Sequence, residues 1–118
     1  MRKSSGMAGG LVAILASLAV VPAAWAANFY LYEDNGYEGH RATFEHSDAE
    51  LNNRYWDDTN IIMQNKASSM INNRSSPVAM WNLGTSCTGD NYIAQAESRD
   101  GSLGSNDFND EASCVVFL

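Results

Sequence analysis

The chain has 118 residues and is acidic, with seven Lys and Arg residues against fourteen Asp and Glu residues. This length suits one domain with a modest core, and so much negative charge argues against binding to nucleic acid or to anionic membrane surfaces. The acidic side chains favour solubility outside a cell; the alternative is that some of them gather a cation.

The first 26 residues have the pattern of a secretory signal. Arg2 and Lys3 give a basic start, an apolar run follows at 11–21, and an Ala-Trp-Ala triplet at 24–26 fits a cleavage site. The apolar run is too short for an ordinary membrane span, although an uncleaved N-terminal anchor is the alternative. We therefore predict a secreted, extracellular protein with a single domain at 27–118 and no membrane contact after signal removal.

The domain has the composition of a β protein, with short aromatic and β-branched stretches separated by turn residues. These stretches predict strands at 28–33, 40–44, 61–63, 69–71, 77–82, 91–96 and 114–118. The first two form a hairpin around the 34–39 turn, and a second turn is expected at 83–90. Long connections are expected at 44–60, where Tyr55 and Trp56 cover the core, and at 100–107.

Two similar short segments indicate an internal duplication. NKASS at 65–69 and NDEAS at 109–113 each come near the end of a half of about 45 residues. The halves predict an all-β sandwich of two Greek key motifs, the first at about 27–74 and the second at about 75–118.

Both cysteines, Cys87 and Cys114, lie in the predicted domain. An exported chain meets oxidising conditions, so we predict one intramolecular disulfide, with two free thiols as the alternative. In the chain-entropy model such a bond stabilises the fold by about 3 kcal/mol. Neither cysteine has a neighbouring histidine in sequence that would suggest a nucleophile or a zinc site.

The first hairpin contains an aromatic residue, four others, an aromatic residue, one other and a glycine, at Tyr32, Tyr37 and Gly39. Together with NKASS and NDEAS, this pattern resembles the βγ-crystallin superfamily. The second copy departs from the pattern, because Trp81 and Gly89 stand one residue further apart and Cys87 takes the place of the second aromatic. The register of the second hairpin is therefore open.

The resemblance implies up to two Ca²⁺ sites, each built from both serine-bearing segments. One would use the Lys66 carbonyl, the Ser68 hydroxyl, the Asp110 side chain and a backbone oxygen near Glu33. The other would use the Glu111 carbonyl, the Ser113 hydroxyl and the Asn65 side chain. The anionic ligand predicts that the Asp110 site is the tighter one. The alternative is that these side chains only bond to turn backbone, since Gln64 and Cys114 break the family pattern at its ends.

The short exported domain is also similar to bacterial secreted inhibitors of peptidase inhibitor family I36. This implies a non-enzymatic protein, expected to be a monomer, with an extracellular protease, in particular a metalloprotease, as partner. The candidate inhibitory loop would be tethered through the predicted disulfide and consists of Leu83, Gly84, Thr85, Ser86, Cys87 and Thr88. The alternative is an ordinary hairpin loop.

Other functions have less support in the sequence. His40 and His46 are expected to be solvated, and no hydrolase elbow, phosphate loop or zinc helix occurs, which disfavours an enzyme. A calcium-binding structural module is one alternative. A second is a glycan-binding protein that resembles killer toxins, with Trp81 and Tyr92 as its aromatic surface.

Overall fold

A computed structural model describes residues 28–118, so the predicted signal at 1–26 lies outside the described residues. Within these residues, seven strands form two antiparallel sheets. The first sheet has the order β2-β1-β3-β6, with β1 at Phe29–Asp34, β2 at Glu38–Phe44, β3 at Ser69–Asn72 and β6 at Ser98–Asp100. The second has the order β5-β4-β7, with β4 at Val78–Leu83, β5 at Thr88–Ala94 and β7 at Cys114–Phe117.

Each half of the chain contributes to the sheet of the other half. Strand β6 belongs to the second half, yet it extends the first sheet by pairing with β3, with Met70 opposite Asp100. In return, Asp48 of the first half bridges Val115 of β7 through two backbone hydrogen bonds of 2.8 Å. This exchange confirms the predicted pair of Greek keys and ties the halves into one sandwich.

The core lies between the inward faces of the two sheets. Side chains alternate across each strand, so Phe29 and Leu31 point inward from β1, and Val78 and Met80 do so from β4. The largest fully buried side chains are Trp56, Phe29, Phe44, Phe108, Leu31, Leu51, Met63, Met70, Met80, Leu103, Val78 and Val115. Burying a side chain of this size contributes about 1.5–3 kcal/mol.

Two 3-10 helices supply core residues from the connections. They span Leu51–Asn53 and Leu103–Asn106, and the leucine that begins each one is fully buried. Within residues 28–118, no helix is long and apolar enough to cross a membrane.

The predicted strand at 61–63 is wrong. Only Ile62 pairs there, in an isolated bridge with Tyr55, because a turn begins directly after Met63, whose carbonyl accepts from the Lys66 N–H at 3.2 Å. The predicted aromatic cover is right for one residue of the two, since Trp56 is fully buried whereas Tyr55 is 50% exposed.

Two other boundaries differ from prediction. The turn expected at 83–90 is shorter, because Leu83 already pairs with Thr88 and strand β5 begins at that residue. Strand β6 begins at Ser98, before the connection expected at 100–107, and its short polar sequence gives little indication of a strand.

Candidate functional site

The tip of the first hairpin is held by an aromatic pair and a serine. Tyr32 and Tyr37 meet edge to face with ring centroids 6.0 Å apart. The Ser69 hydroxyl donates to the Asp34 carbonyl at 2.6 Å and accepts from the Tyr37 backbone N–H at 3.1 Å. Gly39 has φ +77°, and a Cβ there would lie 2.7 Å from Asp34 Oδ2, so the turn requires glycine.

The second hairpin has the same plan with one more residue in its turn. Four residues, 84–87, separate the paired Leu83 and Thr88, where three residues, 35–37, separate Asp34 and Glu38. Gly89 has φ +90° and corresponds to the first hairpin's glycine. This places the inserted residue inside the turn and resolves the register that the sequence left open.

The predicted disulfide is present in the second hairpin. It takes the place of the two hydrogen bonds of the Ser69 hydroxyl in the first hairpin, which we call the serine tie. Cys87 bonds to Cys114 with the Cα atoms 5.5 Å apart. Cys87 has φ +52° and corresponds to Tyr37, which has φ +64°. Cys114 directly follows Ser113, as Ser69 directly follows Ser68, so Cys114 and Ser69 occupy equivalent positions in the two halves. A covalent bond in the second half therefore replaces two hydrogen bonds in the first.

The two serine-bearing segments face each other with near-twofold symmetry. The Asn65 N–H donates to the Ala112 carbonyl at 2.9 Å, and the Asp110 N–H donates to the Ala67 carbonyl at 3.0 Å. Asn65 and Asp110 both have φ +58°, a left-handed conformation that Asn and Asp tolerate better than most residues.

The two serines are anchored in equivalent ways. The Ser68 N–H donates to the Tyr32 carbonyl at 2.8 Å, and the Ser113 N–H donates to the Trp81 carbonyl at 2.9 Å. Both serines are buried. Their positions are therefore fixed by the backbone of the two hairpins, independently of what their hydroxyl groups bind.

The side-chain oxygens meet in one of the two predicted sets. The Ser113 hydroxyl donates to Asn65 Oδ1 at 2.6 Å, and the Gln64 amide donates to Ser113 Oγ at 3.4 Å. In the other set, the Ser68 hydroxyl and the Asp110 carboxylate form no hydrogen bond with each other or with any other group of residues 28–118. The backbone nevertheless brings both sets to the junction of the halves.

The charged groups near the first hairpin are partly paired. Glu33 accepts a hydrogen bond from His40 Nδ1 at 2.8 Å, and this bond is the main reason that its pKa is lowered. The positive charge of Lys66 also lowers this pKa, by less than the bond to His40 does. His40 thus engages Oε1 of the Glu33 carboxylate through both its ring and its backbone N–H.

The equivalent position in the second hairpin was missed in the sequence. Asn82 Oδ1 accepts from the Asp90 N–H at 2.9 Å, as Glu33 Oε1 accepts from the His40 N–H at 3.4 Å. Each follows the aromatic residue that begins its hairpin motif, Tyr32 or Trp81. This shared position in the sequence motif is the feature from which the role of Asn82 could have been predicted.

The oxygens of the two predicted Ca²⁺ ligand sets are mainly neutral. Among residues 28–118, no group of three or more His, Cys, Asp or Glu side chains is placed to hold a metal ion. A cation at the serine-bearing segments would therefore depend on hydroxyl, amide and carbonyl oxygens, with the Asp110 carboxylate as the charged donor in the predicted sets.

The candidate inhibitory loop is a tight and exposed turn. Leu83 is 54% exposed, and Thr85 has φ +61°. The Thr85 N–H donates to the Ala49 carbonyl at 2.7 Å, and its hydroxyl donates to Glu50 Oε2 at 3.2 Å. Contacts with the first half and the disulfide thus hold the turn from both sides.

The aromatic surface considered for glycans is not formed. Met80 and Tyr92 are opposite each other and face the core, where Tyr92 packs 5.9 Å from Phe108. Trp81, the next residue on β4, points to the opposite face of the sheet because side chains alternate along a strand. Trp81 and Tyr92 therefore cannot present one surface.

Solved structures with this fold include the following three. A structure described under the evolution of the eye-lens βγ-crystallin domain fold matches with a TM-score of 0.68 and 13% identity, over 86% of this chain and 93% of its own. A βγ-crystallin from Ciona intestinalis matches with a TM-score of 0.64 and 22% identity, over 77% and 99%. A βγ-crystallin from an archaeon matches with a TM-score of 0.63 and 13% identity, over 78% and 98%.

The fold is that of a βγ-crystallin domain. No protein-family model and no curated protein matches the chain. At these low identities, the similarity to the βγ-crystallin structures concerns architecture, and the function must be argued from the site.

Proposed function

We propose that this chain is a secreted, non-enzymatic βγ-crystallin-type domain stabilised by Ca²⁺ at the junction of its two halves. The observation that carries the proposal is the contact between Ser113 Oγ and Asn65 Oδ1, 2.6 Å apart, which joins side-chain oxygens from segments 48 residues apart. A hydroxyl and an amide oxygen held together by opposing backbone segments suit a hard cation.

The backbone oxygens fit the same group. Among residues 28–118, the Lys66 and Glu111 carbonyls accept no hydrogen bond, so each is free to bind a cation. Bound Ca²⁺ would supply positive charge between two turns of an acidic domain. The Ser113 hydroxyl would turn its hydrogen away from Asn65, so that both oxygens offer lone pairs to the ion.

The two sites should differ in affinity. The Asp110 carboxylate is exposed and forms no hydrogen bond within the described residues, so it can bind a cation without first breaking an internal contact. The Asn65 set lacks a formal charge and must give up its bond to Ser113. We therefore expect the Asp110 set, with Lys66 and Ser68, to bind first.

Calorimetry and thermal unfolding test the calcium proposal together. Calcium should release or absorb heat on titration and raise Tm, whereas magnesium at equal concentration should do less, because it requires more regular octahedral geometry. Asp110→Ala should weaken calcium binding at least tenfold. Asp107→Ala is the matched control, since Asp107 is also exposed and left-handed, with φ +59°, but lies outside the predicted sets.

The calcium proposal fails if two results occur together. One is the absence of heat on titration with 10 mM calcium. The other is a Tm that calcium leaves unchanged in the original chain and in the Asp110→Ala variant.

Secretion is supported by the disulfide between Cys87 and Cys114, since such bonds persist in oxidising compartments. Expression of the full chain in a host with an export system tests this. The expected product is extracellular, oxidised and shortened by about 26 residues on mass spectrometry. Retention of the intact chain in the cell membrane would show an anchor instead.

Protease inhibition of the I36 type is a second candidate, favoured by the exposed Leu83 on a disulfide-anchored turn. A turn held in place costs little ordering entropy when it binds. Because Thr85 and Cys87 have positive φ, the turn would offer side chains to a cleft and not an extended backbone for cleavage.

The inhibitor candidate is tested with a panel of extracellular metalloproteases and serine proteases. If an enzyme is inhibited, Leu83→Ala should raise the inhibition constant at least tenfold. Ile61→Ala is the matched control, because Ile61 is also an exposed aliphatic residue, at 41%, on a different loop. Equal loss in both variants, or none in either, would exclude the turn as the inhibitory element.

A further inference from the structure

The edge of the first sheet at β2 is partly covered by the chain itself. Beside β2, the Asp57 N–H donates to the Arg41 carbonyl at 2.7 Å. The Asp57 carboxylate accepts from the Thr43 N–H at 3.2 Å and from its hydroxyl at 2.6 Å, and the Arg54 guanidinium donates to the Thr43 carbonyl. The edge of β2 is thus covered at Arg41 and Thr43, in the C-terminal half of the strand.

The equivalent edge of the second sheet is open. Strand β5 spans Thr88–Ala94, ends its sheet, and pairs with β4 on one side. Among residues 28–118, no other segment forms a backbone ladder along its outer side. Five of its seven residues are exposed, namely Thr88, Gly89, Asp90, Asn91 and Ile93.

The difference has a simple origin in loop length. In the first half, the segment that covers β2 lies within 49–68, between the bridge at Asp48 and strand β3. In the second half, the corresponding connection between β6 and β7 is 101–113, about seven residues shorter. The shorter connection forms a 3-10 helix over the core and leaves β5 uncovered.

We propose that the outer edge of β5 binds an extended, basic segment of another polypeptide as an added antiparallel strand. Exposed edges offer unpaired N–H and C=O groups that a strand can satisfy, so backbone hydrogen bonds supply affinity. This inference concerns a different surface from the serine-bearing segments and does not depend on calcium.

Charge selects the occupant. Strand β5 contains Asp90 and no basic residue. Residues 28–118 contain five basic and fourteen acidic side chains, for a net charge of −9. The four arginines among them each lie over an aromatic ring, at 4.0–5.3 Å from its centroid. A second acidic copy would be repelled from this edge, whereas a cationic strand would be attracted.

The sheet beside the edge favours alternating side chains in that strand. Ile93, Ala79 and Val116 are cross-strand neighbours on the outward face of the second sheet, and Ile93 is 40% exposed. An apolar side chain on the added strand would extend this row past Ile93. The partner segment is therefore expected to alternate apolar with Lys or Arg residues.

Fluorescence anisotropy with a labelled alternating Lys/Val heptapeptide tests the proposal on purified protein made from the 118-residue chain. The peptide should bind saturably. Binding should be lost with a Glu/Val peptide and with a fully N-methylated Lys/Val peptide, which keeps the charge but lacks backbone donors. Hydrogen exchange of β5 amides should slow at least fivefold in the complex, with little change in β2.

A matched pair of variants separates local from global charge. Asp90→Lys should weaken binding of the Lys/Val peptide at least tenfold, whereas Glu38→Lys should change it less than threefold. Glu38 is also an exposed acidic residue on an edge strand, but Asp57 and Arg54 cover that strand at Arg41 and Thr43. Both variants change the net charge by the same amount, and circular dichroism checks that both are folded.

Three outcomes would overturn the proposal. The first is no saturable binding, and the second is equal weakening by Asp90→Lys and Glu38→Lys. The third is concentration-dependent protection of β5 together with dimers in analytical ultracentrifugation without peptide, which would make a second copy the occupant.

Discussion

Removing the disulfide should destabilise the domain more than removing the corresponding serine tie. The perturbation is the double variant Cys87→Ala and Cys114→Ala, which avoids leaving a free thiol. The cysteines are 27 residues apart, and cross-linking a loop of this size stabilises by about 3.5 kcal/mol in the chain-entropy model. A domain of this length has a total stability of about 5–14 kcal/mol, so the loss is substantial.

The matched perturbation in the first half is Ser69→Ala. It removes two hydrogen bonds, to the Asp34 carbonyl and from the Tyr37 N–H, while the Tyr32 and Tyr37 rings stay in contact. At about 1 kcal/mol for each bond, the expected loss is about 2 kcal/mol. The disulfide should therefore exceed the serine tie by a factor of about two.

Urea unfolding followed by circular dichroism measures both losses. The double cysteine variant should also have a larger m value, because its unfolded chain is no longer cross-linked and exposes more surface. Its Tm should fall by about 15–25 °C. Native-state hydrogen exchange should show faster opening at 84–87 in this variant and at 35–37 in Ser69→Ala.

The reasoning is refuted by a specific result. If the double cysteine variant loses less than about 1 kcal/mol and its m value is unchanged, the disulfide does not restrict the unfolded chain as the entropy model requires. The second hairpin would then be held by its strand register and core contacts alone.

Three further perturbations test single contacts. Gly89→Ala should destabilise by about 1–3 kcal/mol in urea unfolding, because φ +90° strains any residue with a Cβ. The bond to His40 lowers the pKa of Glu33 in the folded state, so this bond stabilises the protein at neutral pH, and the contribution is lost as pH falls below the usual glutamate pKa of 4.5. Glu33→Gln should flatten that part of the dependence of stability on pH. Burial and the bond to Asp100 raise the pKa of Tyr92, so Tyr92→Phe should cost about 1 kcal/mol of stability at pH 7. This difference should shrink as pH rises above about 10. For either Glu33→Gln or Tyr92→Phe, a stability difference that does not change with pH would contradict the assignment.

The first hairpin was predictable because residues within the hairpin itself determine its turn. Tyr32, Tyr37 and Gly39 occupy positions that a folded hairpin of this type requires, and the strands follow directly. The strand Ser98–Asp100 was not predictable in the same way. Its residues have little β propensity, and it pairs with a segment about thirty residues earlier, so its existence depends on tertiary structure.

The predicted strand at 61–63 failed for the opposite reason. Its apolar run has strand-like composition, but Met63 is used to fill the core and only Ile62 forms a bridge. Periodicity over three residues cannot separate a strand from a loop that buries one side chain. Short apolar runs inside long connections are therefore weak predictors of sheet structure.

Part of the candidate site could be predicted from the repeat. The similarity of NKASS and NDEAS identified the two segments, and the resemblance to the βγ-crystallin superfamily implied that Asn65 meets Ser113 across the halves. The same alignment also places Cys114 where the first half has Ser69. Reading both positions together would have predicted that the disulfide replaces a hydroxyl tie.

The two halves use different ties because their turns differ in length and in aromatic content. With three turn residues and a second tyrosine, the first hairpin can close around the Ser69 hydroxyl and an aromatic contact. With four turn residues and no second aromatic, the second hairpin lacks that ring contact, and a covalent bond compensates. Cys114 directly follows Ser113, so the disulfide also fixes the end of the segment that contacts Asn65. The disulfide therefore links the tip of the second hairpin to the junction of the halves.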